Sequence, residues 1–253
     1  MTISHDTRVG DLVSERVGRS EVFERLGIDY CCGGARTLGE AARQVGLEPD
    51  EVAEALAASD RAAVAGAPQD STDWRSATLT ALTNHIVETH HAYMKRQLPR
   101  VGELMDKVLA AHRERHPELA DVANVLAGLR TEIDMHLAKE EQVLFPLIQE
   151  MEATGEAGHG HCGSVRNPIA VMEHEHDHAG SALARLRQLT DGYTPPADAC
   201  ATYRALLDAL AEMEGDLHRH IHKENNILHP RATQLEASLL AVSTGDAPAA
   251  HER

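Results

Sequence analysis

Two segments of this chain repeat one pattern of residues, and this repeat limits the fold more than any other feature of the sequence. The first copy spans His136–Pro146 and the second spans His220–Pro230, an offset of 220 − 136 = 84 residues. Each copy has a glutamate four residues after its histidine, Glu140 in the first and Glu224 in the second. Side chains at positions i and i+4 of a helix lie on one face and can reach the same ion. The repeat therefore predicts two helices that each carry one such pair.

Two further histidines extend the repeat to other helices. His91 and His176 are separated by 176 − 91 = 85 residues, almost the same offset. Between Trp74 and Glu236, four long stretches of helical periodicity are separated by breaks rich in proline and glycine. This organisation predicts two duplicated helical hairpins that form an antiparallel four-helix bundle.

Apolar periodicity predicts that the repeated polar residues face the bundle interior. In the second helix, Ile133, His136 and Glu140 follow one another at spacings of three and four residues, and the other helices show similar patterns. The polar groups on the core face are His91, His136, Glu140, His176, His220 and Glu224. Burying unpaired carboxylates and imidazoles is costly, so the pattern predicts a compensating metal, with hydrogen-bonded core histidines as the alternative. This ligand set favours iron or manganese, and two carboxylates able to bridge favour two ions.

Five further histidines of the predicted bundle divide into two groups. Four of them lie about 200 degrees around a helix from a core histidine, at ~100 degrees per residue, and are predicted to be solvated or to support a ligand. They are His174, His178, His218 and His222. His112 lies 112 − 91 = 21 residues beyond His91 on the core stripe, which is ~31 Å along a straight helix. That distance excludes His112 from the same site unless Pro99 bends the helix sharply.

Two glutamates near the predicted ligands are candidates for supporting roles. Glu132 lies one turn before His136, and Glu175 directly precedes His176. Each is predicted to hydrogen-bond a ligand or to relay protons, with a plain surface position as the alternative. A separate segment, His159–Cys162, is predicted to be a flexible polar insert, with binding of a stray metal as the alternative.

The composition limits the fold class, the partners and the location. Aromatic residues make up only 3% of the chain, which favours an all-α fold over a sheet-rich one. A net charge of -16 argues against nucleic acid and anionic membranes as partners. No stretch approaches the ~20 apolar residues of a membrane span, and the first residues lack a signal-peptide core. We therefore expect a cytoplasmic protein whose four cysteines stay reduced.

A smaller helical domain is predicted before the bundle. The predicted units are residues 1–59 as the N-terminal domain, 60–72 as a linker, 73–236 as the bundle and 237–253 as a flexible tail. Cys31-Cys32-Gly33-Gly34 lies between the second and third short helices of the first unit. Thiolates are nucleophiles and iron ligands, so Cys31 and Cys32 are predicted to be catalytic, with a buried structural pair as the alternative. A flexible linker of this length would let the small domain reach the bundle over ~20 Å.

With both regions in view, the chain resembles the RIC (YtfE/ScdA-like) family of iron–sulfur cluster repair di-iron proteins over about residues 8–235. The passages that carry the resemblance are Asp29–Gly34, Asp73–Ser76, Lys139–Pro146, Met172–Asp177 and Glu224–Leu228. The resemblance implies a haemerythrin-like C-terminal domain with two non-haem iron ions at the six positions above. It also implies a functional histidine at His112. The sequence departs from the family pattern at His229, where an aromatic residue is usual.

The resemblance also implies an activity and partners. Proteins of this family restore iron–sulfur clusters damaged by nitric oxide or peroxide, and both iron donation and nitric oxide reduction have been proposed for them. The expected partners are damaged iron–sulfur proteins and small diatomic ligands. The alternatives are a haemerythrin-like module that binds or senses oxygen or nitric oxide, and a ferroxidase or iron store, although such stores use more glutamates. The sequence leaves open the choice between a monomer and a homodimer, and whether the protein is an enzyme.

Overall fold

The computed structural model describes residues 3–63, 72–157 and 163–243. Within these ranges the regular structure is helical, and β pairing is limited to one isolated bridge between Arg8 and Thr37. The prediction of an all-α fold is therefore confirmed. In the same ranges, no helix has the length and hydropathy that crossing a membrane requires. The predicted insert His159–Cys162 lies outside the described residues.

Four short helices form the N-terminal domain. They are α1 (Val9–Glu15), α2 (Arg19–Leu26), α3 (Leu38–Gln44) and α4 (Pro49–Ala63). α2 ends at Gly27, whose φ of 69° lies in the left-handed region that glycine adopts without strain. α3 begins with a capping box, because Thr37 and Glu40 each accept a hydrogen bond from the backbone N–H of the other. These two signals define the ends of the turn that holds the cysteines.

The bundle consists of four rods, and one π-helical turn interrupts each of three rods. The first rod consists of α5 (Leu79–Ile86), π1 (Val87–His91) and α6 (Ala92–His112), and the second of α7 (Leu119–Lys139), π2 (Glu140–Leu144) and α8 (Phe145–Thr154). The third rod is α9 (Arg166–Leu189). The fourth consists of α10 (Ala201–Lys223), π3 (Glu224–Leu228) and α11 (His229–Ser243). α6 packs against α7 and α10, and α7 packs against α9. Because α6 continues through Pro99, His112 lies at the opposite end of this helix from His91.

Two helices extend beyond the predicted boundaries of their domains. α4 continues to Ala63, into the predicted linker, and α11 continues to Ser243, into the predicted tail. The remainder of both segments, residues 64–71 and 244–253, lies outside the described residues.

The N-terminal domain is docked on the fourth rod of the bundle. α1 contacts π3, and Phe23 belongs to the same apolar cluster as Leu217 and Ile221 of α10. The side-chain amide of Asn226 donates a hydrogen bond to the Cys31 carbonyl oxygen at 2.9 Å. The small domain thus lies on the bundle, and shared apolar burial holds the two together.

Candidate metal centre

The predicted ligands lie on or beside the π-helical turns. His91 is the last residue of π1, while Glu140 and Glu224 are the first residues of π2 and π3. π-helical turns are rare and are frequently found at functional sites. In π2, two adjacent residues reach the same imidazole. Glu140 Oε2 lies 3.3 Å from His91 Nε2, and Glu141 Oε1 lies 2.7 Å from His91 Nδ1.

The six predicted ligands form two groups that share both glutamates. The groups are His91, His220, Glu140 and Glu224, and His136, His176, Glu140 and Glu224. In each group, one ligand atom from every residue lies within 4.8 Å of the others. The Nε2 atoms of His91 and His220 are 3.3 Å apart. Those of His136 and His176 are 3.1 Å apart, so each pair of imidazoles converges beside the two carboxylates.

The burial of the glutamates tests whether the residues fit a metal. Glu140 and Glu224 are both 0% exposed. Within the described residues, neither oxygen of Glu140 has a hydrogen bond of standard geometry, although His91 Nε2 and His136 Nε2 lie 3.3 Å away. A buried carboxylate in this condition requires a compensating cation. Four imidazoles and two shared carboxylates are a donor set that fits bound transition-metal cations.

Electrostatics at the centre also favour cations. Burial lowers the pKa of His136, but the charges of Glu140 and Glu224 outweigh burial and raise that pKa to about 9. Burial raises the pKa of Glu224, but His220 and His176 outweigh it and hold this pKa well below its ordinary value. Both shifts favour ionised carboxylates beside positive charge.

Three of the four histidines are also held through the ring nitrogen that faces away from the centre. Their Nδ1 atoms lie within hydrogen-bond distance of a side-chain oxygen. The pairs are His91 with Glu141 at 2.7 Å, His136 with Glu175 at 2.9 Å, and His176 with Asn225 at 2.8 Å. Such a partner fixes the ring orientation and leaves Nε2 free to bind a metal.

The predicted supporting residues have different positions in the structure. Glu175 holds His136, as described above. Glu132 is exposed and lines a cavity beside His136, which matches the surface position given as its alternative, and its supporting role stays a prediction. Glu141 and Asn225 were not predicted, although the repeat relates them at an offset of 225 − 141 = 84. This repeat offset could have identified both residues from the sequence.

The fourth histidine, His220, breaks the two-fold relation between the hairpins. Its Nδ1 is buried and has no hydrogen-bond partner among the described residues. His90 stacks on His220 with ring centroids 5.5 Å apart. His90 takes the repeat position of Glu175, since 175 − 90 = 85. It is buried, pairs with Asp216 at 3.0 Å and lies 3.0 Å from Lys223 Nζ. His90 was not among the predicted site residues.

The histidines predicted to lie off the core fall into distinct environments. His174 and His178 are exposed, and His218 is half-buried. His222 is 4% exposed, and the Asn226 side-chain amide lies 3.2 Å from its Nδ1. The N-terminal domain covers this face of α10, so His222 is not solvated and supports the contact between the domains.

His229 preserves a packing arrangement despite its departure from the family pattern. It stacks on His176 with centroids 6.0 Å apart and an interplanar angle of 4°. Phe145 stacks on His91 in the same way, at 5.6 Å and 22°. Because 229 − 145 = 84, the two flat rings occupy equivalent positions of the repeat.

A cavity of about 150 Å³ lies beside one half of the centre. His136 and His176 line it, whereas His91 and His220 do not. Its walls include apolar side chains such as that of Leu217. This volume exceeds the ~30 Å³ share of one liquid water molecule, so a diatomic ligand fits.

The cysteine turn lies against π3, next to the metal centre. Cys31 is buried and Cys32 is partly exposed, with the Sγ atoms 3.9 Å apart. Asp29 Oδ1 accepts hydrogen bonds from both cysteine backbone N–H groups, at 3.1 and 2.9 Å. The Asn225 amide nitrogen donates to the Cys31 carbonyl at 3.4 Å, while its oxygen faces His176 Nδ1. One amide therefore links the cysteine turn to a candidate metal ligand.

Comparison with known proteins agrees with this architecture. Residues 82–232 match the hemerythrin HHE cation binding domain, and residues 5–60 match ScdA_N, a domain of unknown function (DUF542). The chain is 36% identical over 231 residues to the iron-sulfur cluster repair protein YtfE of Pectobacterium carotovorum, covering 91% of this chain and 98% of that protein. It is 38% identical over 227 residues to the YtfE protein of Edwardsiella ictaluri, covering 90% and 96% of the two chains.

The C-terminal part is thus a haemerythrin-like cation-binding domain, and the residues that converge inside it are histidines and glutamates. The chain as a whole belongs to the haemerythrin-like family of iron–sulfur cluster repair proteins.

Proposed function

We propose that this protein repairs iron–sulfur clusters damaged by oxidative or nitrosative stress, by iron donation or by nitric oxide chemistry at a non-haem di-iron centre. The proposed iron ligands are His91, His136, Glu140, His176, His220 and Glu224. The observation that carries the proposal is that two four-residue groups share the buried carboxylates of Glu140 and Glu224. The similar proteins of Pectobacterium carotovorum and Edwardsiella ictaluri are iron-sulfur cluster repair proteins, which supports the same function.

The surrounding residues have separate tasks in this proposal. Bound iron supplies Fe(II)/Fe(III) redox chemistry and a position for a small ligand. Glu141, Glu175 and Asn225 orient the imidazoles through Nδ1, so Nε2 faces the centre. The cavity beside His136 and His176 gives nitric oxide or oxygen space next to one half of the site.

The cysteines serve the damaged partner protein in this proposal. Cys31 and Cys32 line an opening of about 640 Å³, together with Asp177 and Arg187 of α9. A thiolate there is a ligand for iron and a nucleophile towards a damaged cluster. The proposed partners are iron–sulfur proteins rather than nucleic acid or membranes, because the chain carries a net charge of -16. Free thiols at the described cysteines fit a cytoplasmic location.

Iron loading of the full chain tests the metal centre. We expect two irons per chain and a Mössbauer spectrum of a coupled pair. We expect Glu140→Gln/Glu224→Gln to lose both irons, because the bridging negative charges are removed. The matched control is His174→Ala, in which an exposed histidine is removed. A reproducible single iron in the iron-replete parent protein contradicts the di-iron proposal.

Reactivation of an iron–sulfur enzyme damaged by nitric oxide tests the activity. We expect the loaded protein to restore it, and Cys31→Ser/Cys32→Ser to keep its iron while losing the restoration. A loaded protein that binds nitric oxide reversibly but restores no cluster is instead a haemerythrin-like carrier or sensor. The iron-loading assay thus tests the metal centre, and the reactivation assay tests the repair activity separately.

A further inference from the structure

A second cluster of ligand-type side chains lies at the opposite end of α6 from the candidate metal centre. His112 ends α6, His116 lies in the following turn, and Asp198 and Cys200 directly precede α10. His112 Nε2 lies 3.2 Å from Cys200 Sγ. His116 Nε2 lies 2.9 Å from Asp198 Oδ1. One ligand atom from each of His112, His116 and Asp198 lies within 4.8 Å of the other two.

The types and spacing of these residues suit a mononuclear metal site. His112 and His116 are four residues apart, at positions i and i+4. Asp198 and Cys200 are two residues apart in the segment that precedes α10. His112, His116 and Asp198 already converge, and Cys200, whose Sγ lies 3.2 Å from His112 Nε2, would complete a set of imidazole, carboxylate and thiolate ligands, all of them types that zinc binds tetrahedrally. The iron-type centre in the bundle has no thiolate, so the two sites differ in metal preference.

The surroundings prepare the cluster for a cation. Cys200 directly precedes the N-terminus of α10, and the positive end of a long helix favours a thiolate there. Glu118 Oε1 lies 3.0 Å from His116 Nδ1, the position of a carboxylate that supports a ligating histidine. Arg115 pairs with Asp198 at 3.2 Å.

Among the described residues, two basic side chains pair with Asp198, namely His116 of the proposed site and Arg115. Arg115 would therefore compete with a metal for Asp198. Its side chain is 62% exposed, so it can turn into solvent. Displacing an exposed ion pair costs little, because solvent already screens the two charges.

We infer that His112, His116, Asp198 and Cys200 bind one zinc ion, separate from the di-iron centre. The ion ties the end of α6 to the start of α10. It closes the end of the bundle that lies farthest from the iron ligands. His112 takes part in this site, which explains a buried histidine ~31 Å along the helix from His91.

Cobalt substitution in the iron-loaded, full-length protein tests the inference. Cys31→Ser/Cys32→Ser/Cys162→Ser leaves Cys200 as the only cysteine of the chain. We expect this variant to bind one Co²⁺ beyond its iron, with a near-ultraviolet thiolate-to-cobalt band and the visible absorption of a tetrahedral ion. Zinc is expected to displace the cobalt and abolish both signals.

Two variants in that background test the ligands. Cys200→Ser removes the thiolate while serine retains good helix-capping ability, so the band should disappear with the helical circular dichroism unchanged. His116→Ala should weaken cobalt binding by at least tenfold. Absence of a thiolate–cobalt band in the parent background overturns the inference. A band of unchanged strength and affinity in His116→Ala also overturns it, because cobalt is then held without the histidine.

Discussion

Gly34 lies so close to Asn226 that a Cβ atom built on Gly34 would be 1.9 Å from Asn226 Oδ1. Real Cβ atoms essentially never approach another heavy atom below 3.0 Å. The glycine therefore permits the cysteine turn to lie against π3, where Asn226 also donates to the Cys31 carbonyl. The glycine beside the cysteines is thus a docking surface for the bundle of the same chain.

Substitution of Gly34 by alanine should disrupt this docking. We expect Gly34→Ala to destabilise the protein by about 1–3 kcal/mol, the usual cost of overpacking. Faster hydrogen exchange in α1 and faster alkylation of Cys31 should accompany the lower Tm. Gly128→Ala is the control, because nothing lies within 4 Å of a Cβ at Gly128 in α7. Equal effects of the two substitutions on stability would show that the close approach of Gly34 to Asn226 does not contribute to docking.

Asn225 should control iron affinity through His176. Asn225→Ala removes the oxygen that faces His176 Nδ1, and loss of such a partner typically weakens metal binding ~10- to 100-fold. Asn225→Asp keeps an acceptor there and should retain most of the affinity. His174→Ala, an exposed histidine on the same helix as His176, should leave the affinity unchanged. Chelator competition measures all three, and an unaffected Asn225→Ala variant would contradict the assigned role.

His222 should affect stability rather than iron content. Its Nε2 lies 3.3 Å from Ser14 Oγ, and its ring centroid lies 5.6 Å from that of Tyr30. His222→Ala removes these contacts between the domains and should cost about 1–3 kcal/mol in urea unfolding. Exposed His178 provides the control substitution. Loss of iron from His222→Ala at unchanged stability would instead place this ring in the metal centre.

The thiols should differ in their dependence on pH. A hydrogen bond with Cys32, burial and the nearby Asp29 raise the pKa of Cys31 well above its ordinary value. The pKa of Cys200 is lowered. Only the thiolate is alkylated rapidly, so Cys31 should react slowly near neutral pH and accelerate through the alkaline range, while Cys200 levels off earlier. Peptide mass spectrometry of iodoacetamide-treated, metal-depleted protein measures both, and coincident profiles would contradict the assignment.

The repeat made much of the candidate centre predictable from sequence. His136 and His220 carry the same local pattern, and the apolar residues around them show which face is buried. The π-helical turns were missed, because a periodicity of 3.6 residues assumes an uninterrupted α-helix. They explain how Glu141 also reaches His91.

Contacts between distant parts of the chain were harder to predict. His222 and Ser14 are 208 residues apart, so the burial of His222 depends on a domain arrangement that helical periodicity does not contain. His90 was overlooked for a related reason, since it directly precedes a predicted ligand and its partner Asp216 lies 126 residues away.

The replacement of Glu175 by His90 at the equivalent position makes the two halves of the centre chemically unequal. An acceptor at Nδ1 makes an imidazole a stronger electron donor, and His220 lacks such an acceptor among the described residues. Two ions bound here would therefore have different reduction potentials and different rates of exchange. The two halves of the centre would therefore bind metal in a preferred order. The ion at His136 and His176 would bind first, and the ion at His91 and His220 would be released first.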